Sequence, residues 1–185
     1  PGNASYYYTL VGLQTSGAIT WDGSEIPVTG VSWMDHEFGS SALSENAVGW
    51  DWFSAQLDNG DVLMLAHIRT EEVGLVEEMK GTLAQADGET RILTVEDFRI
   101  DVLDEWTSTR TGITYPSGWR IFVPGAAVEL EFMPLIQDQE MNVSYNYWEG
   151  AVDIAGSVDG EPVTGVGYVE LTGYGADDSD RRFQR

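Results

Sequence analysis

Gly49-Trp50-Asp51-Trp52-Phe53-Ser54 is followed, across Asp58-Asn59-Gly60-Asp61, by Leu63-Met64-Leu65-Ala66-His67-Ile68-Arg69. Asp-Asn-Gly-Asp supplies the residues that a tight reversal of the chain requires, because Asn and Gly tolerate positive φ. The flanking runs are aromatic and aliphatic, so the spacing predicts two strands joined as an antiparallel hairpin. Strand alternation puts Trp50 and Trp52 on one face, and Asp51 and Phe53 on the other.

The same grammar extends outward. Trp21-Asp22-Gly23, Asp87-Gly88, Pro124-Gly125 and Asp159-Gly160 also separate runs rich in Val, Ile, Tyr, Trp and Thr. Strands are expected near residues 5–14, 17–21, 26–35, 48–57, 62–69, 79–85, 90–94, 98–105, 118–123, 127–134, 145–155 and 164–174. Helical signal is confined to one turn at 94–98, with Thr94 as its cap and Asp97 three residues on. Many strands with short turns imply an all-β protein, an antiparallel barrel that is closed or nearly so. One barrel domain is expected over residues 1–175, with Trp50 and Trp52 largely buried and at least one of Tyr6, Tyr7 and Tyr8 pointing into it. A polar tail, expected to be disordered, follows over 176–185.

Composition narrows the function. The 185 residues carry 31 acids against nine bases, a net charge of −22. That charge argues against nucleic acid or an anionic membrane as partner. Lys80 is the sole lysine, which points to a protein adapted to high salt, where repulsion between carboxylates is screened within ~3 Å. The alternative is an acidic protein from biased codon usage. With no cysteine, disulfides and thiolate metal sites are excluded. No apolar run reaches the ~20 residues of a membrane span. The start at Pro1, without Met or leader, is expected of a processed chain or a piece of a longer one. The compartment, exported or cytoplasmic, stays open.

Three stretches carry candidate chemistry. In Val31-Ser32-Trp33-Met34-Asp35-His36-Glu37-Phe38-Gly39, His36 lies between acids, yet alternation sends Asp35 and Glu37 to the opposite face. Its ring partners must come from adjacent strands, and Asp51 and Glu149 are the candidates. Asp51 stands between Trp50 and Trp52, where burial is costly unless the acid is paired. It is expected to pair with Arg69 or His67, or else to stay protonated as a proton donor in an apolar pocket. Tyr145-Asn146-Tyr147-Trp148-Glu149-Gly150 and Tyr168-Val169-Glu170-Leu171 repeat the aromatic-acid pattern. The catalytic candidates are therefore His36, Asp51 and Glu149. The ligand-lining candidates are Tyr8, Phe38, Trp50, Trp52, His67, Tyr147 and Tyr168. His36 and His67 show no metal-ligand spacing, and Ser40, Ser41 and Ser54 lack the setting of a serine nucleophile. Neither a metal nor a cofactor is expected. Asn3-Ala4-Ser5 and Asn142-Val143-Ser144 match the N-glycosylation pattern, which is common by chance.

Taken in order, Ser5-Tyr6-Tyr7-Tyr8, Trp33-Met34-Asp35-His36-Glu37-Phe38-Gly39, Gly49-Trp50-Asp51-Trp52-Phe53, Tyr147-Trp148-Glu149-Gly150 and Gly167-Tyr168-Val169-Glu170-Leu171-Thr172-Gly173-Tyr174 resemble the AttH-like and carotenoid 1,2-hydratase (CrtC) superfamily. The resemblance spans residues 5–174. It implies a lipocalin-like β-barrel, the second of two such domains, and hence an N-terminal lipocalin-like domain or second subunit as partner. The family includes hydratases of carotenoid double bonds, decalin-forming Diels–Alderases, and bacterial proteins beside export systems. In the hydratases a His-x-aromatic element and a downstream Tyr/Asp pair are held to protonate the alkene. His36 matches the first position. Phe38 stands where Trp is usual, and Leu65, Ala66 and His67 stand where the Tyr/Asp pair belongs, which puts carotenoid hydration in doubt.

Three functions follow as expectations. The first is a module binding a lipid, isoprenoid or other hydrophobic small molecule in the barrel. The second is a hydratase/lyase- or cyclase-type enzyme using His36 with a nearby carboxylate. The third is a packed interaction domain docked on a missing N-terminal half.

Overall fold

The structure, a computed structural model, describes residues 6–39, 47–70, 78–143 and 146–175. The chain divides into two compact units, 1–44 and 45–185. The expected tail at 176–185, Asn3, Ser40, Ser41, Ser144 and Tyr145 lie outside the described residues.

The first unit is a long antiparallel hairpin of β1 (Tyr6–Trp21) and β2 (Ser24–Phe38). The predicted turn is there: Asp22 and Gly23 have φ of 47° and 76°, the left-handed pair that matches the twist of a two-residue hairpin. The strands expected at 5–14 and 17–21 are one strand, because Ser16 and Gly17 stay in the ladder opposite Thr29 and Val28. Tyr6, Tyr7 and Tyr8 are all exposed.

The second unit contains β3 (Ala47–Leu57), β4 (Val62–Thr70), β5 (Glu78–Ala84), β6 (Thr90–Thr94), β7 (Arg99–Val102), β8 (Glu105–Thr107), β9 (Thr114–Pro116), β10 (Trp119–Val123), β11 (Val128–Pro134), β12 (Glu140–Asn142), β13 (Asn146–Val158) and β14 (Glu161–Thr172). Among the described residues a single 3-10 turn, at Pro124–Ala126, interrupts them. Residues 94–98 form a hydrogen-bonded turn and no helix. Asp97 accepts from both the backbone N–H and the hydroxyl of Thr94, each at 2.8 Å. No helix among the described residues is long and apolar enough to cross a membrane.

Nine strands run in the order β6-β5-β4-β3-β14-β13-β11-β10-β7, with β12 added to β13, and every pairing is antiparallel. The two ends, β6 and β7, are neighbours in sequence, joined only by residues 95–98. Eight strand spacings of a flat sheet would separate them by roughly 38 Å. Four residues reach at most about 18 Å. The sheet must therefore curl until its ends meet. Arg91 clasps the seam, donating to Asp97 and to the Gly125 carbonyl, each at 2.9 Å.

Curling gives the sheet an inner and an outer face. Phe53, Leu65, Leu130, Trp148 and Val169 point inward and are at most 2% exposed. Phe53 on β3 meets Trp119 on β10 and Phe132 on β11 edge to face, at 5.6 and 6.1 Å between ring centroids. Trp50 and Trp52 have the opposite parity. They lie on the outer face and are partly buried. An antiparallel lipocalin-like β fold results, its interior filled by side chains through its middle.

Candidate functional site

The sequence-predicted residues gather into three groups, each set by strand parity and register. The hairpin holds the first. Tyr8 is the register partner of His36, and Tyr6 of Phe38, so all four share one face. The Tyr8 hydroxyl and His36 Nδ1 are 2.7 Å apart. Tyr6 stacks on Phe38 at 5.3 Å, and His36 lies 5.3 Å from the Phe38 ring. Asp35 projects from the other face, as alternation required. It accepts from Tyr7 (2.5 Å), Thr9 (2.6 Å) and the Trp33 indole (2.8 Å). The ring partner that the structure gives His36 is thus Tyr8, where sequence reasoning named Asp51 and Glu149.

A second group sits on the inner face at one end of the core. Asp51 Oδ1 accepts from Arg69 Nε at 3.1 Å, and the Tyr174 hydroxyl lies 3.0 Å from each Asp51 oxygen. His67 Nδ1 is 3.8 Å from Asp51 Oδ2, an electrostatic neighbour beyond hydrogen-bond reach. The Arg69 guanidinium lies 3.9 Å over the Tyr174 ring. Burial raises the Asp51 carboxyl above its ordinary value, although Arg69, Tyr174 and His67 all pull the other way. Burial lowers His67; Asp51 partly offsets this and Arg69 adds to it. Tyr174 is raised by burial and by the Asp51 charge. Both partners expected for Asp51 therefore lie beside it, and the shorter contact makes Arg69 the principal one.

The third group lies on the outer face, across β3, β14 and β13. Trp52 is the register partner of Glu170, and Glu170 of Glu149. The two glutamates thus face one another directly across a strand pair. Trp50 donates its indole N–H to Glu170 Oε1 at 2.8 Å and meets Tyr147 edge to face at 6.3 Å. Tyr168 projects from the same face. Desolvation raises the Glu149 carboxyl. It also raises the Tyr168 phenol, with Glu149 and Glu170 adding to the effect.

Sequence reasoning missed Glu140, a wholly buried side chain on β12. It accepts from Ser108 and Thr111 at 2.6 Å and from Tyr115 at 3.1 Å. These hydroxyls tie residues 108–115 to β12. Nothing local announces it, since β12 is three residues long. Among the described residues, no three His, Asp or Glu side chains converge on a metal position.

Comparison with known proteins places these groups in a family. The AttH-like family model matches residues 1–174. Among curated protein sequences nothing matches at a significant level. A crystal structure of an AttH protein (NE1406) from Nitrosomonas europaea is 40% identical with a TM-score of 0.82, covering 92% of this chain and 53% of that one. Kievitone hydratase from Nectria haematococca is 21% identical with a TM-score of 0.77, covering 92% and 54%. CghA, solved with Sch210972, is 11% identical with a TM-score of 0.55, covering 91% and 54%. The latter two share the fold. The chain spans about half the length of each of these structures. With a family model matched over nearly its whole length, this chain belongs to the AttH-like family.

Proposed function

We propose that this chain holds a hydrophobic small molecule, a lipid or isoprenoid, against the aromatic outer face of its curled sheet. The observation that carries this reading is the convergence of Trp50, Trp52, Tyr147 and Tyr168 on three adjacent strands around Glu149 and Glu170. Half-buried rings gain by shedding water onto an apolar ligand, and a few polar groups among them fix its orientation. The middle of the inner face is occupied by Phe53, Trp119, Phe132 and Trp148, so the place first expected inside the barrel gives way to the outer face. The test is a titration with all-trans-retinol and with oleate, followed by tryptophan fluorescence. Saturable quenching is expected in the wild type and not in the Trp50→Ala/Trp52→Ala variant. Equal quenching in both proteins would reject the outer face.

A second reading is acid-base chemistry of the hydratase type, favoured by the hydrogen bond between Tyr8 and His36 and by the likeness to kievitone hydratase. Protonated His36 gives its Nε2 proton to an alkene carbon. Water adds to the resulting cation and returns one proton to Nε2, so the alkene becomes an alcohol and the ring is restored. His36→Gln is expected to lower turnover ~100-fold or more with little change in melting.

The partner we propose is a further lipocalin-like half, received on the hairpin. Ile19, Trp21 and Ile26 share one of its faces and are exposed, and a two-stranded hairpin is marginal alone. Light scattering on the 185-residue chain should show self-association through this surface, reduced by Trp21→Ser/Ile26→Ser.

A further inference from the structure

We infer that Tyr8 is the positioning residue of His36, occupying Nδ1 so that Nε2 is the ring nitrogen left to exchange a proton with a ligand. This rests on the acid-base reading of His36 and names how that residue is prepared. A phenol both donates and accepts. It can accept from Nδ1–H in the imidazolium and in the neutral ring alike, so the 2.7 Å contact survives a full proton cycle. Once Nε2 has given up its proton, the proton left on the ring sits on Nδ1 and is donated to the Tyr8 oxygen, which leaves Nε2 bare to take a proton back.

The pairing is built into the backbone. From Trp21 opposite Ser24 to Leu13 opposite Ser32, each strand advances in step. Between Leu13 and Leu10, β1 carries one residue more than β2, and Gly12 takes φ of 63° there. Continued without that extra residue, the register would set Tyr8 opposite Glu37. With it, Tyr8 meets His36, and Thr9 meets Asp35 on the opposite face. The three hydrogen bonds into Asp35 from Tyr7, Thr9 and Trp33 then lock this register from behind. Tyr6 and Phe38 stack beside the pair and offer an apolar wall. The geometry therefore suits an apolar substrate bearing an alkene or carbonyl, laid over Phe38 with its reactive atom at Nε2.

The test uses long-range ¹H–¹⁵N correlation on the intact chain, in which His67 is the one other histidine and serves as internal reference. At a pH where the ring is neutral, the proton of His36 is expected on Nδ1, hydrogen-bonded to Tyr8, with Nε2 carrying the signature of a bare nitrogen. In Tyr8→Phe the Nδ1 resonance should move to that of an unbonded nitrogen. In Tyr6→Phe it should stay. Cross-strand contacts between residues 15 and 30 report whether the hairpin remains folded, and the wild-type tautomer needs no variant. A proton on Nε2 in the neutral wild-type ring overturns the proposal, as does an Nδ1 signal indifferent to Tyr8→Phe. Turnover separates this inference from the reading beneath it. If His36→Gln keeps full activity while the tautomer shifts as described, the acid-base reading falls and the positioning stands. If His36→Gln loses activity while Nδ1 ignores Tyr8, the positioning falls alone.

Discussion

Phe53 and Trp119 meet edge to face with ring centroids 5.6 Å apart, although β14, β13 and β11 lie between their strands. In a flat sheet four spacings would hold them about 19 Å apart. The contact is the closure of the fold expressed in two side chains, and Phe132 and Trp148 extend it around the interior.

Phe53→Ala should therefore cost about 3–5 kcal/mol, the usual penalty for an emptied aromatic position in a packed core. Urea denaturation of the two proteins measures it. A loss below ~1 kcal/mol would mean that the ring does not bridge the two sides of the sheet.

The Asp51 group gives a pH dependence whose sign is fixed by burial. Asp51 is raised above its ordinary 3.8, so the folded chain holds this proton more tightly than the unfolded chain. Its contribution to stability is complete below 3.8 and is lost as pH rises through the folded value. His67 is lowered from 6.5, so its contribution is present above 6.5 and is lost as pH falls through the folded value. Asp51→Asn should thus gain on the wild type as pH rises from 3.8. His67→Gln should gain on it as pH falls from 6.5. Melting curves across that range test both, and an Asp51→Asn difference that shrinks with rising pH would contradict the assignment.

Glu149 and Glu170 are direct partners on the outer face, and like charges so placed repel. Glu149→Gln should stabilise the protein at neutral pH by about 0.2–1 kcal/mol, with the gain fading as pH falls through the raised value of the Glu149 carboxyl. Should the variant be less stable at pH 7, a bound cation between the two carboxylates becomes the better explanation.

The net charge of −22 should make the fold depend on salt. Melting temperature is expected to climb from dilute buffer to molar potassium chloride as screening shortens the reach of carboxylate repulsion. A melting temperature flat across that range would remove the high-salt reading.

Strand identity was legible from the sequence because turn residues and side-chain alternation are local. Asp58-Asn59-Gly60-Asp61 fixed one reversal, and Trp21-Asp22-Gly23 another. The strands at 48–57, 62–69, 90–94 and 118–123 fall within a residue or so of those observed. β8, β9 and β12 were not legible, since three-residue strands leave no period to detect. Alternation also stated that Trp50 and Trp52 oppose Asp51 and Phe53.

Which of those faces is inside was not stated by any local pattern, because Trp and Phe are equally apolar and curvature is a property of the whole sheet. The short link at 95–98 requires the sheet to curl, and the packing of Phe53 against Trp119 and Phe132 shows which face is inside, leaving Trp50 and Trp52 outside. Arg69 was already named beside Asp51 from the hairpin, but only tertiary pairing brought Tyr174 onto Asp51, and Tyr8 onto His36. The last of these depends on one extra residue in β1, and a register shift of one exchanges every partner along a strand. Composition and alternation thus determined what the strands are. Register and curvature, which are collective, determined what the side chains meet.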